Sequence, residues 1–305
     1  MNYPLLVGAA TRASARVALV TCADLPDLDS DDQLLIAPLA ERGIAAEPVV
    51  WSDPQADLSA YDLAVIRNTW DYFSRRDEFV AWAAAVPRLA NPATVVEWNT
   101  DKRYLAELAA HGVPAVPTAW IAPGGAFEPP AGEYVIKPAI SGGSKDTGRY
   151  GPNDADLARA HVADLQAAQR LVMVQPYLPA VETYGETALL FFASPLTGRL
   201  EFSHAIRKGP ILTGPYTGLD GLYAPEEVTR RTPTDAEHAV ARAALDNAPE
   251  GLLYARVDVI AGLDGSPVLV ELELTEPSVF VAYAPGAADR FADAIAGIVA
   301  VRGRG

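Results

Sequence analysis

Tyr254-Ala-Arg256-Val-Asp258-Val-Ile, then Gly262-Leu-Asp-Gly-Ser-Pro, then Val268-Leu-Val-Glu271-Leu-Glu273-Leu is the stretch on which the reading of this chain turns. Two β-branched runs flank an Asp-Gly pair, a strong local signal for a hairpin. With Asp264 and Gly265 as the central pair, symmetry sets Asp258 opposite Glu271 and Arg256 opposite Glu273. Side chains alternate along a strand, so Glu271 and Glu273 share a face roughly 7 Å apart. Facing carboxylates destabilise a sheet, and buried charge is costly unless something compensates it. A divalent cation would do so. Magnesium takes one or two carboxylates and completes its shell with water and substrate phosphates, so these acids predict a metal and a phosphate-bearing ligand together. The competing reading is the solvated face of an edge hairpin.

At 305 residues, half of them hydrophobic and 21% charged, the chain is long enough for two or three lobes around a large core. Its net charge of −15 repels nucleic-acid backbones and anionic membranes, so a nucleotide must meet a local cluster of cations. Neither nucleic acid nor membrane is expected as a partner; a small ligand is. The single cysteine, Cys22, cannot form an internal disulfide and reads as a packed thiol. The opening residues carry no basic, long apolar leader, and no run of eighteen apolar residues occurs. A cytoplasmic location is expected.

From Arg16 onward, apolar runs at Val17–Thr21, Pro48–Trp51 and Leu63–Ile66 alternate with helical stretches, which predicts a parallel α/β unit. The third run leads into Asn68-Thr69-Trp70-Asp71-Tyr72, at the end of a parallel strand where open α/β sheets place ligands. Asn99-Thr-Asp starts a helix that Gly112 stops, with Lys102 and Arg103 in its first turn, against the macrodipole. Flexible solvated cations tolerate that position; a bound anion would explain it.

Lys137 ends the otherwise apolar Tyr-Val-Ile-Lys-Pro run and needs an anion, a wet cleft or an escape past Pro138. The following Ile140-Ser141-Gly142-Gly143-Ser144-Lys145 can bring backbone amides close to anionic oxygens, or it is an ordinary turn. Gln175-Pro176-Tyr177-Leu178 closes another apolar strand, where proline stiffens the exit and exposes backbone groups to a flat ring. Glu182 and Glu186 follow. His204 reads as a satisfied sheet residue, with Arg207 and Lys208 at the end of the same run. Neither G-x-x-x-x-G-K-S/T nor G-x-G-x-x-G occurs.

Val-Ile-Lys-Pro, Val-Gln-Pro-Tyr-Leu-Pro and Glu-Leu-Glu-Leu-Thr-Glu-Pro, in this order, resemble the ATP-grasp superfamily, its glutathione-synthetase-like branch in particular, from about residue 15 onward. The resemblance implies an ATP-grasp fold of class α/β with an N-terminal parallel domain (1–95), a central lobe with the phosphate flap (96–172) and a C-terminal lobe with the metal site (173–305). It implies ATP and Mg²⁺ as cofactors. Lys102 and Lys137 would meet the phosphates, Ser141 to Ser144 would form the flap, and Gln175 to Leu178 would hold adenine, with Glu182 or Glu186 on the ribose. Asp258, Glu271 and Glu273 would hold magnesium, Glu273 standing where the family usually has Asn. Arg207 and Arg256 would steady the transferred phosphoryl group and the tetrahedral species.

The reaction so implied is activation of a carboxylate or carbonyl by the γ-phosphate, followed by nitrogen attack. Such chemistry depends on positioning and charge neutralisation, in keeping with a sequence that offers no Ser-His-Asp or Cys-His arrangement. Thr69 to Tyr72 with Arg75, Arg76 and the helix through Trp82 is similar to a segment of the O-ureido-serine cyclo-ligases of cycloserine biosynthesis. That narrower resemblance puts Asn68, Thr69, Trp70, Asp71 and Tyr72 on a small amino-acid-like substrate; core packing is the other reading of the tryptophans. A non-catalytic ATP-binding scaffold, a ligase acting on peptide tails and a homodimer remain open at this stage.

Overall fold

The computed structural model describes residues 14–218 and 226–302; the opening segment, read above for a leader, lies outside them. Three sheets follow one another along the chain. The first holds β1 (Ala15–Thr21), β2 (Ile44–Val50), β3 (Leu63–Asn68) and β4 (Leu89–Ala90), in the order β2-β1-β3-β4 and parallel throughout. Parallel strands covered on both faces read as continuous apolar runs, and Val17 to Val20 and Leu63 to Ile66 are buried without a break. Cys22 is buried too.

The second sheet is antiparallel, in the order β5-β8-β6-β7, built from β5 (Ala119–Ile121), β6 (Tyr134–Pro138), β7 (Gly148–Tyr150) and β8 (Val172–Pro176). The helix Ala155–Ala167 packs on it through Ala158, Val162 and Leu165. Because β8 runs across the expected 172/173 boundary, this sheet closes at Pro176.

The third sheet, order β11-β10-β9-β12-β13, is antiparallel: β9 (Glu186–Ala193), β10 (Leu200–Lys208), β11 (Val228–Arg231), β12 (Tyr254–Ala261) and β13 (Pro267–Glu273). Asp258 pairs with Glu271 and Arg256 with Glu273, as the hairpin symmetry predicts. The turn differs. Gly262 and Ser266 close a three-residue loop, Gly262 N–H donating to Ser266 O at 2.8 Å, with Gly265 at φ +83°. A bulge at Val270 then shifts the register by one, restoring the symmetric pairing at the acids.

Lys102 is not in a helical first turn. It lies in the turn between the helices Ala93–Asn99 and Tyr104–Ala110, its N–H donating to Ala139 O at 2.9 Å, so the conflict with the macrodipole does not arise.

Candidate active site

A cavity of about 660 Å³ opens where the three sheets face one another, within the usual range for a small-molecule site. Its lining includes Lys102, Lys137, Gln175 to Leu178, Glu186, Lys208, Arg256, Glu271 and Glu273, with the Ser141–Ser144 loop over one side. Sequence-distant groups thus meet in one place.

Strand geometry explains who points inward. On β13, Glu271 and Glu273 share the cavity face. Glu271 pairs with Lys102 at 3.1 Å, and Lys102 also donates to Ser141 O at 2.8 Å, tying the glycine loop to β13. Burial alone would raise the Glu271 carboxyl, but Lys102 and Lys137 outweigh it and hold it below the ordinary range. Lys137, 9% exposed, ends β6 facing the cavity. Among the described residues its ammonium has no hydrogen bond or ion pair. Burial lowers its ammonium, and Lys102 and Lys208 add to that against Glu271. A buried cation without a partner, at a cavity wall, fits an incoming polyanion.

A second charge network sits behind. Arg256 forks onto Asp258, Nε to Oδ1 at 3.0 Å and a terminal nitrogen to Oδ2 at 3.0 Å, and also contacts Glu273. Lys208 reaches Asp258 at 2.7 Å and contacts Glu186. Burial would raise the Asp258 carboxyl, yet Arg256 and Lys208 hold it well below the usual carboxylate range. For Lys208 burial pulls downward, and Asp258 with Glu186 outweighs it. Burial pushes Glu186 up to about 7 in spite of Lys208. Glu273 also stands at about 7, raised by burial with Glu271 and Asp258 against Arg256.

Several expectations need correction. Arg207 faces away: neighbouring strand positions alternate, so Lys208 lines the cavity while Arg207 Nε donates to Tyr184 O at 3.0 Å. Glu182 accepts from Tyr177 Oη at 2.6 Å and from Arg149 at 2.7 Å, outside the cavity lining, which leaves Glu186 as the acid beside the hinge. Asp258, 1% exposed, lies behind the lining, saturated by Arg256 and Lys208. No group of three or more His, Cys, Asp or Glu among the described residues is arranged to hold a metal ion; Glu186, Asp258, Glu271 and Glu273 are each paired with a side-chain cation. Glu271 and Glu273 remain at the cavity wall, matching the one or two carboxylates that magnesium takes beside phosphate.

Of the substrate-side residues, Trp70 and Tyr72 line the cavity. Asn68 instead donates to Asp32 Oδ2 at 2.7 Å and accepts the Asp29 N–H, as part of the first sheet's own packing. Thr69 is buried outside the lining, and Asp71 takes Trp51 Nε1 at 2.8 Å. Trp82 stacks on Phe79 in the core. His204 is held structurally, Nε2 at 2.9 Å from Val279 O, with burial lowering its ring to about 4.

Four functional positions were not singled out in advance. Lys208 was masked by its neighbour, and Glu276 stood in the quoted acidic run without a role. Asn91 and Asn99, the latter read in sequence as a helix start, fasten this region: Asn91 bridges Leu253 N, Tyr254 O and Leu274 O, and Asn99 bridges Leu272 O and Leu274 N, each contact between 2.6 and 3.0 Å.

Comparison with known proteins agrees with this geometry. A family model described as the N-terminal domain of D-cycloserine synthetase DcsG matches residues 17–91. The cycloserine biosynthesis protein DcsG of Streptomyces lavendulae is 38% identical over 302 residues, spanning 92% of this chain and 97% of that protein. The crystal structure of D-cycloserine synthetase DcsG matches with a TM-score of 0.83 at 36% identity, over 93% of this chain and 100% of that one. D-alanyl-alanine synthetase A from Vibrio cholerae (TM-score 0.63, 13% identity, 95% and 98% covered) and an ATP-grasp RimK domain protein from Sphaerobacter thermophilus (0.61, 19%, 94% and 100%) share the fold. The chain belongs to the D-cycloserine synthetase DcsG family and has the ATP-grasp fold.

Proposed function

We propose that this protein is an ATP- and magnesium-dependent cyclo-ligase that activates the carboxylate of a small amino-acid-like substrate and closes a C–N bond within it. The observation that carries the reading is Lys137, a buried ammonium with no ion pair among the described residues, set on the wall that Lys102, Lys208, Glu271 and Glu273 share. A triphosphate supplies the anion this wall lacks. The similarity to DcsG, a D-cycloserine synthetase, supports the ring-closing form of the chemistry.

On this reading Gln175 to Leu178 bracket the adenine, with Gln175 oriented by its Nε2 donating to Thr118 Oγ1 at 2.9 Å, and Glu186 takes the ribose. Lys102, Lys137 and Lys208 hold phosphate oxygens. Glu271 and Glu273 would hold magnesium, which neutralises charge on the phosphates. Residues 1–95 would supply the substrate side, 96–172 the flap and 173–305 the metal side.

The substrate carboxylate oxygen attacks the γ-phosphorus, ADP leaves, and the acyl phosphate carries the activated carbonyl. A nitrogen of the same molecule then attacks that carbonyl to form the C–N bond, its proton passes to the departing phosphate, and the C–O bond to phosphate breaks with release of phosphate. Arg256, fixed by Asp258 and Glu273, stabilises the negative oxygen that develops between these steps.

The test is ADP release from ATP and Mg²⁺ with O-ureido-serine, against a panel of amino acids and dipeptides. Release with the ureido compound, abolished by Glu271→Gln, supports the reading. Nucleotide binding without ADP release across the panel overturns it.

A further inference from the structure

Lys102, Lys137 and Lys208 give the cavity its cations. Trp70, Tyr72 and Glu276 line it where the chain leaves β13. Glu276 lines the cavity and has no ion pair among the described residues; its carboxylate accepts a hydrogen bond from the Tyr72 hydroxyl. Its backbone is pinned: Trp70 Nε1 donates to Glu276 O at 3.0 Å, and Arg67 donates to the next carbonyl, Pro277 O. A carboxylate so fixed is ready to receive a ligand without reorganising.

Two other acids of the lining are committed to backbone amides. Asp31 accepts from Val281 and Ala282 N–H at 2.9 and 2.8 Å, and Asp29 accepts from Asp31 N–H at 2.6 Å. Two cations of the lining are paired as well, Lys102 with Glu271 and Arg256 with Asp258 and Glu273. Glu276 is thus left, among the described residues, as a half-buried carboxylate with no ion pair and only the longer-range field of Lys102, a position that costs free energy while it is charged. An arriving cation relieves that cost; a neutral ligand group does not.

We infer that the Glu276 carboxylate, steadied by Tyr72, binds the α-ammonium of the substrate and makes the enzyme selective for amino acids over their des-amino counterparts. The inference rests on the ligase reading for the orientation it implies: ammonium at Glu276, carboxylate toward Arg256 and the lysines.

The experiment pairs O-ureido-serine with its des-amino analogue, 3-(ureidooxy)propanoate. Binding is followed by calorimetry in the presence of Mg²⁺ and a non-hydrolysable ATP analogue, and turnover by ADP release. Wild type should bind the amino compound more tightly. Glu276→Gln should weaken that binding about 10- to 100-fold, the range for losing one hydrogen bond to a charged group, with the des-amino compound and the Mg-nucleotide unaffected. Glu276→Asp, which keeps the charge, should retain part of the preference, and its melting temperature guards against a folding defect. Equal losses for both compounds, a loss confined to Mg-nucleotide binding, or no preference in wild type would overturn the inference. Absence of ADP release with every acid would sink the ligase reading alone, since the binding preference is read without turnover.

Discussion

Adjacent residues on β10 carry opposite expectations. Lys208 faces the cavity, bound to Asp258 and Glu186; Arg207 faces away, on a backbone carbonyl. Lys208→Met should lower the rate of ADP release about 10²- to 10³-fold, the usual cost of losing one preorganised charge at a developing anion, while Arg207→Ala should stay within about twofold, as surface changes do. Steady-state kinetics of the two variants side by side decides this; comparable losses would return Arg207 to the site. Glu276 offers a second residue-level test, through pH. Its folded carboxyl stands at about 8 against 4.5 for the ordinary group, so between those values the folded state holds a proton that the unfolded chain has lost. Stability therefore falls as pH rises through that window, by up to about 1.4 kcal/mol per pH unit for one such group. Urea denaturation of ligand-free protein between pH 5 and 8 should show the decline, and Glu276→Gln should make it shallower, Glu186 and Glu273 supplying the rest up to about pH 7; an unchanged slope would refute the assignment.

At the scale of the element, what could be read from the sequence divides by whether local pattern or distant packing set the outcome. The β12–β13 register was legible at the acids, although the turn has three residues where symmetry suggests two, because the Val270 bulge offsets the difference. On β10 parity was not legible. A register shift between Phe202 and His204 breaks the alternation, and nothing in Phe-Ser-His-Ala-Ile-Arg-Lys announces which cation ends on the inner face. The asparagines were illegible for another reason: a lone Asn before a helix looks like a cap, and its partners here lie more than 150 positions away. Asn99→Ala would strand Leu272 O and Leu274 N in a buried strand, at about 1–3 kcal/mol for each unsatisfied group, read as a drop in the urea midpoint. Gly185 is constrained differently. At φ +74°, a Cβ there would lie 2.6 Å from Lys208 O, and a backbone atom cannot swing aside. Gly185→Ala should displace the end of β10 and weaken nucleotide binding by calorimetry more than it lowers the melting temperature.

Across the whole molecule, the order of the three sheets followed from runs and breaks in the sequence, but the fastening between them did not, since it is made by buried polar groups whose partners no local pattern reveals. The first sheet grips the loop beyond β13 at several points. Asp31 takes the Val281 and Ala282 amides, Trp70 donates to Glu276 O, and Arg67 donates to Pro277 O. Tyr254 returns the contact, its hydroxyl lying 3.0 Å from Ile66 O and 2.7 Å from Thr275 O. Arg67 is fully buried, and among the described residues its one carboxylate partner is Asp32, Nε to Oδ1 at 2.9 Å. Removing one member of a buried pair leaves the other uncompensated, at about 3–5 kcal/mol, so Asp32→Asn should unfold at markedly lower urea concentration although Asp32 is not itself part of the cavity lining. The functional consequence should be one-sided. Arg67 holds the carbonyl next to Glu276, whereas Lys137 and Lys208 stand on β6 and β10, so the variant should raise KM for the amino-acid substrate and leave the Kd for Mg-nucleotide near wild type. A parallel loss of both would mean that the first sheet braces the entire cavity and not the surroundings of Glu276 alone.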